Sequence, residues 1–143
     1  MATDRRDPYR SYSFLVEIDG ITRAAFRECS GLDTTQSPIE YREGSDPLTV
    51  RKLPGLITYS NITLSRGITD DDELWRWRQR AAEGKIERRN GSIVLLDDGG
   101  AEKWRWNFRE AWPSKWTGPS FNATGGDVAI EQLEIAHEGL SKG

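Results

Sequence analysis

The chain has 143 residues, 36% of them hydrophobic, with 20 Lys and Arg against 23 Asp and Glu for a formal net charge of −3. One domain of this length buries roughly 68–70% of the surface its unfolded chain exposes, enough for a core without metals or disulfides. A single cysteine, Cys29, and a single histidine, His137, exclude a disulfide framework and a protein-made zinc cage, and the mixed charge excludes the strongly basic face of an indiscriminate nucleic-acid binder.

Residues 1–10 are polar, carry Asp4, Arg5, Arg6 and Asp7-Pro8, and read as an arm ordered only by a neighbour. They lack the apolar stretch of a secretory signal, and no run approaches the ~18–20 apolar residues of a spanning helix. Synthesis in a cytoplasm without direct membrane anchoring is therefore expected. A single domain over residues 11–143 follows.

Phe14, Val16 and Ile18 alternate with Leu15 and Glu17, and Asp19-Gly20 offers the positive-φ turn of a hairpin into a second strand over residues 21–29. Ile39 and Tyr41 alternate with Glu40 and Arg42 as a third strand. Beyond it Gly44, Asp46-Pro47, Pro54 and Gly55 break any regular pattern as far as Ile57, which predicts a long loop or projecting hairpin.

Residues 58–66 read as one strand, with Ile62 and Leu64 on one face and Tyr59, Asn61, Thr63 and Ser65 on a polar, hydroxyl-rich one. After Gly67 comes the one convincing helix. Thr69 or Asp70 is its predicted N-cap, Asp71, Asp72 and Glu73 fill the first turn, Gly84 is the stop, and Leu74, Trp75, Arg78, Ala81 and Ala82 form the packing stripe.

Residues 91–96 form a strand and Asp97-Asp98-Gly99-Gly100 its turn; Trp104, Trp106 and Phe108 alternate with Arg105, Asn107 and Arg109 on the return. A continuation over residues 112–121 is predicted to be interrupted by Pro113 and Pro119. In the last strand, residues 127–138, the change of phase between Ile130 and Leu133 predicts a bulge. Many strands and one helix give a mainly β fold, an antiparallel sandwich or barrel with the helix against one end or face.

The chemistry-bearing clusters have plain structural readings. Asp70-Asp71-Asp72-Glu73 lacks calcium-loop spacing and suits the positive end of a helix. Asp97 and Asp98 sit in turn chemistry rather than as a paired acid and base. His137-Glu138 has no second histidine four residues on, so a structural hydrogen bond is expected of His137. Nucleotide loops and hydrolase elbows are absent from the sequence, so neither catalysis nor a cofactor is expected.

The six tryptophans fall at period-two and helical spacing, as core or subunit-contact residues do. Residues 42–57 are harder to account for inside a compact domain, because Leu48, Val50, Leu53, Leu56 and Ile57 are too apolar for a solvated excursion. A second copy of the chain, stacked head to tail, is the economical cover.

The segments Glu40-Tyr41-Arg42-Glu43-Gly44, Lys52-Leu53-Pro54-Gly55-Leu56, Leu64-Ser65-Arg66-Gly67, Trp112-Pro113 and His137-Glu138-Gly139-Leu140 run in order from about Phe14 to Leu140. In them the chain resembles the tail-tube proteins of contractile phage tails and contractile injection systems. The resemblance implies a two-sheet β-barrel subunit with one helix, forming hexameric rings stacked into a hollow tube inside a contractile sheath. Its implied partners are other copies of itself, the sheath, baseplate or spike-hub and tape-measure proteins, and effector proteins or DNA as cargo in the lumen of a phage tail or injection particle.

By the same resemblance a ring-stacking loop spans Tyr41, Arg42, Gly44, Asp46, Pro47, Leu48, Val50, Lys52, Leu53, Pro54, Gly55 and Leu56. Gly67 and Asp70 make a structural junction. Lumen candidates are Asn61, Thr63 and Ser65 from one strand and Arg23 and Arg27, or their alternates Thr22, Ala24 and Glu28, from another, since a one-residue shift of register swaps faces. Two related readings are a tube-initiating baseplate ring and a secreted hexameric tube protein resembling haemolysin-coregulated protein. A reading from a different class is a monomeric β-sandwich that binds sugar or single-stranded nucleic acid through tryptophans.

Overall fold

The computed structural model describes residues 13–24, 26–45 and 48–143, with side chains from 22 to 24 excepted. The predicted arm at residues 1–10, and Asp46 and Pro47 of the predicted loop, lie outside the described residues.

β1 (Phe14–Ile18) and β2 (Ile21–Ala24) form the expected hairpin, turned at Gly20 with φ 76°. The predicted second strand stops short of Cys29, because β3 (Glu28–Ser30) leaves β2 and pairs with a different strand. Among the described residues β4 (Thr34–Tyr41) and β5 (Arg51–Tyr59) pair only with each other. The irregular chain expected as far as Ile57 thus ends six residues sooner, at Arg51. Pro54 is tolerated there because both strands of a two-stranded ribbon are edges, and the proline lacks only an N–H that an edge need not use.

β6 (Ile62–Gly67) follows a break at Ser60 and Asn61, so residues 58–66 are two strands rather than one. α1 (Glu73–Ala82) leads to β7 (Arg89–Leu96), the long β8 (Glu102–Thr117), β9 (Ile130–Ala136) and β10 (Gly139–Lys142). The main sheet runs β2-β1-β7-β8-β9-β6-β3, with β10 pairing β8 beside β9.

β8 carries the strand order from one half of the sheet to the other. Its first half pairs with β7 and β10, and residues 112–117 pair with β9. The two halves meet at Glu110, whose φ of 54° turns the strand while Asn90 Oδ1 accepts its backbone N–H at 3.0 Å. Pro113 does not interrupt β8: it is buried, and the register shifts between it and Lys115, a bulge position where a proline is accommodated.

The folded-over sheet encloses Val16, Ile18, Ile93 and Phe108 from one half and Ile62, Leu64, Leu133 and Ile135 from the other. α1 closes this core with Leu74, Trp77 and Ala81, an i, i+3, i+7 stripe. Trp77, not Trp75, is the buried tryptophan, and Ala82 is exposed. Its indole can be buried because Nε1 donates to the Glu87 carbonyl at 2.9 Å, and the Arg89 guanidinium lies 5.1 Å over its ring. Gly84, at φ 89°, stops the helix as expected.

The helix begins later than Thr69 or Asp70 would place it, with Asp72 in the cap position. Thr69 and Asp71 shape the approach instead: Thr69 Oγ1 accepts the Asp71 N–H and Asp71 Oδ1 accepts the Glu73 N–H at 2.9 Å. The predicted bulge in the last strand is absent, since β9 pairs β6 without a shift from Ile62 and Ile135 to Gly67 and Ile130. The phase change is real, and its cause is that Glu131 points inward with Leu133 and Ile135 while Ile130 takes the other face.

Candidate assembly surface

The β4–β5 hairpin is exposed along nearly its whole length. Thr34, Thr35 and Gln36 sit opposite Tyr59, Thr58 and Ile57; then one extra residue on β5 shifts the register, and Pro38, Ile39, Glu40 and Tyr41 face Pro54, Leu53, Lys52 and Arg51. Gly55 sits at the shift, where a Cβ would collide with the Ser37 carbonyl, and its own carbonyl accepts from Gln36 Nε2 at 3.0 Å. A β-carbon is therefore excluded at this bulge.

Of the residues expected in the projecting loop, the structure gathers Tyr41, Lys52, Leu53, Pro54, Gly55 and Leu56 in the two strands and Arg42, Gly44, Leu48 and Val50 between them. Leu48 is 94% and Leu56 84% exposed, and Ile39, Tyr41, Val50, Leu53 and Ile57 are exposed too. Two strands alone are marginally stable in water, and so many exposed apolar side chains on one projection need a cover.

The root of the hairpin is fixed more firmly than its tip. Gly31, at φ 91°, lets the chain pass against the Asn61 carbonyl. Asn61 Nδ2 donates to Glu134 Oε1 at 2.9 Å, and His137 Nε2 donates to the Ser60 carbonyl at 3.0 Å, with the Tyr59 ring 5.6 Å from the imidazole. His137 thus has the structural role expected of it. What the sequence reading missed is that this role anchors the hairpin.

A second surface is the outer face of the sheet half made by β3, β6, β9 and the end of β8. Direct cross-strand partners share a face, so Glu28, Ser65, Gln132 and Thr117 form one row and Ser30, Thr63, Glu134 and Lys115 another. These rows carry two carboxylates, one ammonium and otherwise uncharged polar groups, and register adds Gly67, Ile130, Ala136 and Trp112 to the same face. Asn61 reaches it through Glu134, and Ser65 is nearly buried within it. Between the alternatives on the neighbouring strand, register puts Glu28 beside Ser65; exposed Arg27 lies just before β3, its N–H donating to the Ser65 carbonyl at 2.8 Å. The Arg23 side chain lies outside the described residues.

On the opposite face β6 joins the helix approach. Arg66 Nη1 lies 3.5 Å from Asp71 Oδ2, and its Nε donates to Glu131 Oε1 at 2.8 Å. Gly67 ends β6 opposite Ile130, while Asp70 is exposed. The junction expected of Gly67 and Asp70 is held by their neighbours Arg66 and Asp71.

Two of the tryptophans, Trp75 and Trp116, line one pocket with Ile68. Trp75 meets Trp116 edge-on at 4.8 Å, whereas Trp104 lies on β8 near Trp106 with Lys142 Nζ 4.0 Å from its ring centre. The Asp97 carboxylate closes its turn by accepting the Ala101 and Gly99 N–H groups, each at 2.9 Å, and these bonds, Ala101's first, hold it below the usual aspartate range. Among the described residues no three His, Cys, Asp or Glu side chains are grouped to hold a metal ion, and no helix is long and apolar enough to cross a membrane.

The model of the T4-like virus tail tube protein gp19 family matches residues 10–141. A chain of the sheath–tube complex of PVC, an extracellular contractile injection system, in its extended state is 31% identical, with 95% of this chain and 91% of that one covered at a TM-score of 0.85. A chain of the tube-terminating cap of the anti-feeding prophage is 28% identical, with 100% and 95% covered at 0.88. Hcp1 from Flavobacterium johnsoniae, at 18% identity, 92% and 95% coverage and 0.60, shares the fold. No curated protein matches the chain.

Proposed function

The chain belongs to the T4-like virus tail tube protein family, and on that premise we propose that its β4–β5 hairpin joins one ring of subunits to the next while the polar face of β3, β6, β9 and the end of β8 lines the lumen. It is a structural inner-tube protein. The single observation that carries the finer reading is the hairpin itself: a two-stranded ribbon with many exposed apolar side chains that, among the described residues, pairs with no other strand.

Six subunits would close a ring by pairing the open edges of the main sheet, β2 at one end and β3 at the other, which removes the exposed strand edges of the monomer. Asn61 and Thr63, joined by Glu28, would then face water in the channel, with Ser65 buried on the same face. The balance of Glu28, Glu134 and Lys115 suits a conduit that cargo must not adhere to.

In this role the subunit is passive and non-catalytic. Each added ring engages several hairpins at once, so contacts that are weak singly hold a long tube. Contraction of a surrounding sheath supplies the work, and a baseplate templates the first ring. Synthesis is cytoplasmic, and the finished tube belongs to a phage tail or an injection particle.

Electron microscopy of the purified protein over a concentration series, with and without particles from its native source, tests the reading. Sixfold rings or tubes of constant width support it. Replacing Leu53 and Leu56 with Asp should stop tube growth and leave the subunit folded by circular dichroism; normal tubes from that variant would remove the hairpin from the stacking role.

A further inference from the structure

We propose that the hydrogen bond from the Glu110 N–H to Asn90 Oδ1 is a latch that fixes the angle between the two halves of the main sheet, and through that angle the diameter at which rings close. The inference rests on the ring-forming role proposed above. It goes beyond that role in naming the residues that set ring size.

The corner of the sheet is a bulge in the β7–β8 ladder. Arg89 lies opposite Ala111 and Gly91 opposite Phe108, so Asn90 faces two residues of β8, Arg109 and Glu110. Such a bulge bends its strand, and where one of its residues is left-handed that residue is usually glycine. Here the left-handed residue is Glu110, at φ 54°. An L-residue keeps that conformation only where its surroundings impose it.

Asn90 is placed to impose it. Its backbone carbonyl accepts the Asp19 N–H at 3.0 Å, which ties it to the β1–β2 turn, while its Oδ1 accepts the Glu110 N–H at the same distance. Beyond β8, the Arg109 carbonyl accepts the Glu138 N–H at 3.0 Å, where the chain steps from β9 to β10. Glu138 also faces Arg88 at 3.6 Å and Arg109 at 3.7 Å, but these pairs are solvent-exposed and screened, and set no fixed geometry.

Beneath the latch lies an apolar pivot. Gly91 has no side chain, and the Phe108 ring fills the place of its Cβ, with Ala111 fully buried nearby. Apolar burial is non-directional and by itself allows the halves to swing. The directional bond outside the pivot selects one angle.

The two open edges that a ring must join belong to different halves. β2 lies beyond β7 and β1, and β3 lies beyond β9 and β6. The angle at Glu110 therefore sets the direction of one edge relative to the other, and every subunit repeats it around the ring. A repeated rotation that closes gives a ring of one size, and one that does not close gives an open assembly.

Asn90→Ala removes the acceptor. The site is exposed, so water satisfies the freed N–H and the variant is expected to keep the wild-type circular dichroism spectrum. Spin labels on Lys103→Cys and Lys115→Cys, in a Cys29→Ala background, sit on the two arms of β8, at most about 40 Å apart. In the free subunit their distance distribution is expected to be at least two-fold broader with Asn90→Ala than with Asn90. Unlabelled Asn90→Ala protein is expected to give tubes of mixed width or open arcs by electron microscopy. Asn90→Asp keeps an acceptor at the same reach and is expected to restore both readouts.

A wild-type distance distribution or a wild-type tube width in Asn90→Ala would overturn the latch and leave the packing of Phe108 on Gly91 as what fixes the angle. If Asn90→Ala does not fold, Asn90→Ala with Glu110→Gly removes the backbone strain and carries the same test. Wild-type protein that forms neither rings nor tubes would overturn the ring-forming role instead, and the distance measurement on the free subunit would still decide whether Asn90 holds the angle.

Discussion

Arg66 on β6 donates its Nε–H to Glu131 Oε1 on β9 at 2.8 Å, and both side chains are more than nine-tenths buried. The two residues are direct partners in the ladder. The same guanidinium lies 5.5 Å over the Phe26 ring and donates to the Asp71 backbone carbonyl at 3.4 Å. One buried cation therefore ties the sheet that carries the polar face to the approach of α1.

Removing Glu131 leaves the buried Arg66 cation only the partly exposed Asp71 carboxylate, 3.5 Å from its Nη1, as a counter-charge. Glu131→Ala is expected to lower folding stability by about 3–5 kcal/mol, measured by urea denaturation. The double change Arg66→Met with Glu131→Leu should restore most of that loss, because it removes both desolvation penalties together. A Glu131→Ala protein as stable as wild type would mean that water reaches Arg66 and the pair is not dry.

The same pair marks a limit of what the sequence reveals. Alternation identified β1 and the run from Trp104 to Phe108, because Val16, Ile18 and Phe108 are buried while Glu17, Asn107 and Arg109 beside them are not. Glu131 breaks that rule in a way only its partner explains, and a pattern of single residues read the break as a bulge. The division between β5 and β6 was hidden for a related reason: alternation continues through Ser60 and Asn61 with no glycine or proline to mark it. The projection itself was legible, since Leu48, Val50, Leu53 and Leu56 had no place in a solvated loop. Its strand content was not, because Pro54-Gly55 signals a break in a central strand but is tolerated in a ribbon made of two edges.

Asp97 gives a pH-dependent contribution whose sign follows from its bonds. The N–H groups of Ala101 and Gly99 favour the carboxylate, so the folded-state pKa lies below the unfolded value near 4. Its stabilisation is fully present above that unfolded value and is lost as pH falls through the folded one. Asp97→Ala should therefore be less stable than wild type at pH 7, with the difference shrinking below about pH 4 as the wild-type carboxylate protonates. Thermal melts of both proteins from pH 7 to pH 2.5 check this, and a difference independent of pH would assign the effect to turn geometry alone.

Cys29 sits opposite Leu64 in the ladder, and burial pushes its thiol up to about 11. The thiolate is the reactive species, so at pH 8 about one molecule in a thousand would carry it, against roughly a quarter of the molecules for an ordinary thiol near 8.5. Iodoacetamide labelling at pH 8 should thus be roughly 100-fold slower in the folded protein than in urea. Equal rates would mean that β3 leaves the sheet edge readily.

Gly31 decides whether the hairpin can leave the body at the observed place. Its φ is 91°, and a Cβ would drive into the Asn61 carbonyl, between Ser60, which His137 holds, and the start of β6. An L-residue in that conformation costs about 1–2 kcal/mol before any collision, and the collision is with backbone, which cannot rotate away. Gly31→Ala is therefore expected to lose about 2 kcal/mol or more of stability in urea denaturation and to assemble poorly, because relief requires β3 or the hairpin root to shift. Gly126→Ala, outside the hairpin, is the control, since nothing lies within 4 Å of the Cβ it would gain. It should fold and assemble as wild type does. If both variants formed tubes equally well, the root would be free to adjust and the direction of the hairpin would be set by the neighbouring copies instead.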